Sequence, residues 1–246
     1  MSVSTTRAES ITPTESIDRD GAIPPLENGD RLTRDEFMRR YEAMLGLKKA
    51  ELIEGVVHVP SPVRQRYHSR QQYHLLNWLG HYDAGTPGLE GGGNSTVCLD
   101  LGSVPQPDCV FFIQPEYGGQ VKINAQGYIE GAPDLVAEVA ASSVSYDLHD
   151  KLDAYRRNGV REYLVWRVWD RQIDWFVLRG DRYEPLAPAA DGTLRSTVFP
   201  GLWLDTAALL RGDLNAVLAV VQQGLNSPEH VDFAASLQRA GSEPVS

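Results

Sequence analysis

With 246 residues, a mass of 27.2 kDa, 42% hydrophobic and 23% charged residues, the chain is long enough to bury roughly 70% of its extended surface without disulfide or metal staples. That composition excludes a collagen, a coiled coil and a wholly disordered chain. The formal net charge of −10 argues against broad electrostatic binding to nucleic acid, and no apolar run approaches the roughly 20 residues of a membrane span.

Residues 1–30 are rich in Ser, Thr, Pro, Asp and Glu and poor in large apolar side chains, so they read as a mobile tail. They carry acids early and have no apolar core segment, which is unlike a secretory signal. Cys98 and Cys109 form no CxxC pattern, and with that start they predict a reduced, cytoplasmic protein. A domain is expected over 31–211, followed by a helical extension over 212–246.

The domain opens on Thr33-Arg34-Asp35-Glu36, a capping box for a helix running to about Leu45. Two short strands follow, Ala50 to Glu54 and Gly55 to Val59, broken near Gly55. Ser61-Pro62 predicts the start of a long helix whose apolar face is Tyr67, Leu75, Leu76 and Leu79. Strands are expected at about 95–100, 108–113 and 135–140, with a long polar loop over 114–131. A helix over 147–158 ends at Gly159, and a hairpin of 162–168 with 172–178 turns over Asp170-Arg171. Further strands are predicted at 183–186 and 196–199, then helices over 206–223 and 228–239. This order indicates one mixed α/β domain with a central sheet flanked by helices.

From Gly55 to Tyr82 there is no Asp or Glu, while Arg64, Arg66, Arg70 and the histidines His58, His68, His74 and His81 fall inside that stretch. It is either where a polyanion would lie or an ordinary solvated basic face. The histidines lack HExxH spacing, and the chain has neither a GxSxG elbow nor a P-loop.

Three residues stand out by position. Asp108 opens the apolar strand Cys-Val-Phe-Phe-Ile, as a turn residue or as a carboxylate at a sheet end. Glu138 sits inside Asp-Leu-Val-Ala-Glu-Val-Ala, where alternation groups it with Asp134, Val136 and Ala140. Burial there is costly unless it is paired or holds a cation; the other reading is a solvated sheet face. Lys151 falls within the apolar stripe Leu148, Leu152, Tyr155, so its stem either snorkels past the core or carries its ammonium into a site. Asp147 reads as a solvated or capping residue, and of Glu51 and Glu54 at most one can face inward. Two carboxylates on neighbouring strands plus a lysine form the minimal apparatus for metal-assisted phosphodiester hydrolysis, with Mg²⁺ the ion that oxygen ligands suit.

The stretches Glu51-Leu-Ile-Glu-Gly55, Ser61-Pro62 leading to His68, Pro107-Asp108, Asp134-Leu-Val-Ala-Glu138-Val, Lys151-Leu-x-x-Tyr155-x-x-x-Gly159-Val-x-Glu162 and Phe199-Pro200-Gly201-Leu202 occur in one order over about 33–210. Together they resemble the Uma2 family, a bacterial branch of the PD-(D/E)xK nuclease superfamily. The resemblance implies a restriction-endonuclease-like core and a DNA endonuclease dependent on Mg²⁺ or Mn²⁺. It implies Asp108 and Glu138 as metal ligands with Glu51 in support and Lys151 assisting the attacking water, and the acid-free basic stretch then offers Arg64, Arg66, His68 and Arg70 as candidate substrate contacts. The superfamily's E-x-K would put lysine at 140, where this chain has Ala140, and Lys151 matches a lysine moved to the following helix. Ala141-Ser142 stands where the family commonly has Ser-Pro. DNA is the expected partner and a homodimer the expected assembly, since two-strand cleavage often uses two symmetry-related sites. The rival reading is a catalytically inactive nuclease fold that binds DNA or a protein.

Overall fold

The computed structural model describes residues 22–59 and 65–242. The Ser61-Pro62 helix start, Arg64 and most of the expected tail lie outside the described residues. Residues 22–30, assigned to the tail on composition, pack onto the body: Leu26 is buried in a cluster with Phe37, Leu52 and Val57, and the Gly29 amide donates to Val57 O at 2.8 Å.

Helix α1 (Arg34–Ala43) begins where expected, with Thr33 Oγ1 accepting from the Glu36 amide at 3.4 Å. Only that half of the capping box forms. The Glu36 carboxylate turns to the guanidinium groups of Arg39 and Arg40, at 2.8 and 2.6 Å, because charge-assisted bonds outcompete a neutral amide. Strands β1 (Glu51–Ile53) and β2 (Val56–His58) make an antiparallel hairpin, with Glu54 and Gly55 at positive φ in its turn.

A π-helical turn, Gln65–Ser69, runs into α2 (Arg70–Asp83), whose buried face includes Leu75, Trp78, Leu79 and Tyr82. The chain then lays down β3 (Leu89–Gly92), β4 (Val97–Cys98), β5 (Cys109–Ile113), β6 (Lys122–Ile123), β7 (Ile129–Glu130) and β8 (Leu135–Ala140). β3 is an unforeseen edge strand rich in glycine, and β6 and β7 lie within the expected loop. Next come α3 (Val144–Tyr146), a second π-helical turn (Asp147–Lys151) and α4 (Leu152–Asn158), ending on left-handed Gly159. β9 (Glu162–Arg167), β10 (Gln172–Arg179) and β11 (Arg182–Pro185) follow as a meander.

The central sheet has the order β11-β10-β9-β8-β5-β3. Its β8/β9 pair is parallel and its other pairs are antiparallel, so it is the mixed sheet that the element order implies. Alternation along β8 divides two cores: Leu135, Ala137 and Val139 pack with α2 and the C-terminal helices, while Val136 and Ala140 pack with Tyr155, Val160 and Tyr163.

The predicted strand 196–199 is instead a turn. Ser196 Oγ accepts from the amides of Val198 and Phe199, and such local bonds compete with a ladder. The ladder forms on either side of it, between β12 (Leu194–Arg195) and β13 (Trp203–Leu204). The predicted helix 206–223 is two helices, α5 (Thr206–Arg211) and α6 (Leu214–Leu225), separated by left-handed Gly212 and restarted by the Asp213 cap. α7 (Pro228–Ser242) is the last element among the described residues. Val217, Val221 and Leu237 belong to the main core, so the helices beyond 212 close the same body as the sheet. No described helix is long and apolar enough to cross a membrane.

Candidate active site

The register Cys109↔Ala137 brings Asp108, one residue ahead of β5, opposite Glu138 in the middle of β8. The pair is locked by backbone: the Asp108 amide donates to Glu138 Oε2 at 3.3 Å and the Val139 amide to Asp108 Oδ2 at 2.8 Å. Glu51 enters from β1, buried as its position in an apolar strand requires, and Glu54 turns outward to pair with Arg157. Glu51 Oε1 accepts from the Gln106 amide at 2.7 Å.

Lys151 carries its ammonium inward. Its Nζ lies 2.8 Å from Glu138 Oε1, 2.9 Å from Glu51 Oε1 and 3.7 Å from Asp147 Oδ1. One turn on, Tyr155 OH donates to the same Glu138 oxygen at 3.0 Å. Burial pulls the proton affinity of Lys151 down, but the carboxylates of Glu138, Glu51 and Asp147 overcome it and hold the ammonium well above its ordinary range. Ala140, buried on the Glu138 face of β8, stands where the superfamily pattern expects a lysine.

Both π-helical turns border this point, a geometry often found at functional sites. The first brings His68 Nε2 to 3.1 Å from Asp108 Oδ2. Lys49 adds its Nζ at 3.4 Å from Asp108 Oδ1. Burial opposes ionisation of Asp108, yet the His68 hydrogen bond and the Lys49 charge hold it well below the usual carboxylate range. Glu138 moves the other way, pushed up by burial and by the charges of Asp108, Asp147 and Glu51, with Lys151 opposing. Like charges held together divide their affinities for protons in this manner.

Glu51, Asp108, Glu138, Asp147, Lys49, Lys151 and His68 all line one cavity of about 600 Å³, with Tyr67, Tyr146 and Trp169 among its other walls. Among the described residues no three of His, Cys, Asp and Glu are disposed to hold a metal ion as they stand. The donor set nonetheless suits a hard dication. Four carboxylates face two ammonium groups, and Glu138 Oε2 and Asp108 Oδ1 are held only by bonds of 3.3 and 3.4 Å.

The remaining sequence-derived candidates separate. Arg66 and Arg70 are exposed and outside the cavity wall, Arg70 with its guanidinium beside Gly212 and His74, and Arg64 lies outside the described residues. Asp147 is buried, not solvated, with Oδ2 accepting from Ser143 Oγ at 2.5 Å. Its i, i+4 spacing to Lys151 was the available signal. Lys49 was missed too, although it precedes Glu51 by two residues and period-2 alternation gives them one face.

The family model described as "Putative restriction endonuclease", Uma2, matches residues 34–207. Among solved structures, a protein from Anabaena variabilis titled a putative nuclease belonging to DUF820 is similar in fold, with a TM-score of 0.56 and 17% identity over 73% of this chain and 98% of that one. No curated protein matches.

Proposed function

The chain belongs to the Uma2 family, and from that premise we propose that it is a metal-dependent DNA endonuclease whose reactive centre is Asp108, Glu138 and Lys151. The observation that carries this reading is the excess of buried carboxylate over ammonium on one cavity, at a point where two strands and two π-helical turns converge. Ionising so many buried carboxylates together is costly, and a bound dication is the partner that relieves it.

Asp108 and Glu138 would hold Mg²⁺ or Mn²⁺, with Glu51 supporting. When bound, such an ion lowers the pKa of a coordinated water and balances charge at the phosphate. Tyr155 OH and Lys151 Nζ fix Glu138 Oε1, while the Val139 amide and His68 fix Asp108 Oδ2, so both carboxylates are oriented before substrate arrives. Lys151 stays protonated among its carboxylates. It therefore orients the attacking water by donating hydrogen bonds and supplies positive charge, and does not accept the water's proton. Lys49, whose side chain is 23% exposed, is the more open cation and is placed to meet a phosphate oxygen at the cavity mouth.

A second reading, a silent nuclease fold that binds DNA or protein, draws on Lys151 itself, whose ammonium already satisfies Glu138 and Glu51. Cleavage of plasmid and single-stranded DNA with Mg²⁺, Mn²⁺ or EDTA separates the two. The nuclease cuts only with metal and loses cutting on Asp108→Ala at unchanged circular dichroism. Binding of DNA without cleavage under every metal, unaltered by Asp108→Ala, would establish the silent module instead.

A further inference from the structure

The mouth of the cavity carries an aromatic pair that the hydrolytic chemistry does not use. Trp169, in the turn joining β9 to β10, is 62% exposed, and its ring lies 4.5 Å from that of Tyr67 with planes 33° apart. The other tryptophans are buried or half-buried. Exposing so large an apolar ring forgoes burial that a tryptophan normally finds. Both rings line the cavity that also holds Asp108, Glu138 and Lys151.

The turn that bears Trp169 is braced. Arg167 bonds Asp170 at 2.7 Å and Asp174 at 2.7 Å, and Arg171 adopts a left-handed conformation with φ of 53°. Tyr67 is equally fixed in chain position, next to His68, which bonds the reactive Asp108. The pair thus stands at a set place on the wall of the cavity that holds the carboxylates. The flanking stretch from Gly55 to Tyr82 carries no acid, and Arg66 is exposed beside Tyr67. Exposed aromatic rings on the wall of the cavity that holds the carboxylates and Lys49 match one chemistry.

We propose that Trp169 and Tyr67 stack an unpaired nucleobase, so that the strand entering the cavity is single-stranded DNA. Bases inside a duplex have both faces covered by neighbours, whereas an unpaired base offers its face to an aromatic ring regardless of its identity. A cavity of about 600 Å³ lies within the roughly 300–1,000 Å³ that holds a small ligand, enough for a single nucleotide. This inference rests on the nuclease reading and names its substrate class.

The test is fluorescence anisotropy of the full chain with a labelled single-stranded oligonucleotide, the same strand in a duplex, and a version carrying abasic sites, with Ca²⁺ in place of Mg²⁺. Wild type should favour the single strand. Trp169→Ala should weaken it about 5- to 150-fold, the range expected for one stacked base, with Trp169→Phe recovering most of the loss and duplex binding unmoved. The abasic strand should lose the same amount on wild type and nothing further on Trp169→Ala. Equal binding of the single strand by wild type and Trp169→Ala, or of intact and abasic strands by wild type, would overturn the platform. Should wild type then still cut plasmid with Mg²⁺, the nuclease reading survives that loss. If wild type neither binds nor cuts any DNA, the nuclease reading fails and takes the platform with it.

Discussion

Two glutamates lie buried on neighbouring strands of the central sheet, and their surroundings are opposite. Glu162, at the start of β9, accepts at Oε1 from the Thr197 amide and hydroxyl at 2.7 and 3.0 Å and from the Val198 amide at 3.2 Å, and at Oε2 from Ser196 Oγ at 2.8 Å. Its partners are neutral, they tie β9 to the turn before Phe199, and it borders no cavity described above. Glu138 on β8 instead shares an ammonium with Glu51, holds its second oxygen by one 3.3 Å bond, and faces an open cavity beside three other carboxylates. Burial raises the proton affinity of both. On the proposed function, completeness of hydrogen bonding is what distinguishes a buried acid that holds the fold together from one poised for a ligand.

The strongest way to break that contrast is Lys151→Met. It strands Glu51, Glu138 and Asp147 without their shared cation, a change expected to cost about 3–5 kcal/mol, read as a midpoint shift in urea, with cleavage falling at least about 100-fold. Adding Glu51→Gln should recover part of the stability and none of the cleavage. Glu162→Ala comes next. It leaves four donors facing a void and should cost about 3 kcal/mol, or roughly 10 °C in a thermal melt, while cleavage per folded molecule stays at the wild-type level.

A third expectation sharpens the cavity side. Mn²⁺ at 100 times its dissociation constant should stabilise the wild type by about 2.7 kcal/mol in calorimetric melts, and Asp108→Asn should abolish that gain. Glu162→Gln should keep it. Glu36 on α1 gives the smallest effect. The Arg39 hydrogen bond, aided by Arg40 and opposed by burial, lowers its pKa from 4.5 to about 2. A depressed carboxylate adds stability that is present above pH 4.5 and is lost as pH falls toward 2. With solvent screening this amounts to about 1 kcal/mol, and acid titration of Glu36→Gln should lack that part of the slope.

Much of the scaffold was legible because it obeys simple periods. β5, β8 and the β9/β10 hairpin are apolar or alternating runs bounded by turn residues, and α4 ends on a glycine that only its left-handed conformation explains. β3 was hidden, since Gly91 and Gly92 disfavour strands locally and pairing with β5 decides their state. The 196–199 segment has β-branched residues, but Ser196 and the distant Glu162 capture its amides. In the candidate site, Asp108, Glu138 and Lys151 could be singled out because each is a charge in or beside an apolar pattern, whereas Glu51 came only from the family resemblance. The contacts of Lys49 and His68 with Asp108 could not be read there, for they arise only through tertiary packing. Arg66 and Arg70 are exposed and do not line the cavity, and charge along the sequence does not say which way a helix face turns.

The central claim is that Glu138, and not its equally buried neighbour, belongs to the reactive centre. It is tested most directly by metal-dependent cleavage of labelled DNA with Glu138→Gln and Glu162→Gln, each normalised to folded protein. The account predicts a loss of at least about 100-fold for Glu138→Gln and wild-type turnover for Glu162→Gln. Undiminished cleavage by Glu138→Gln would contradict it.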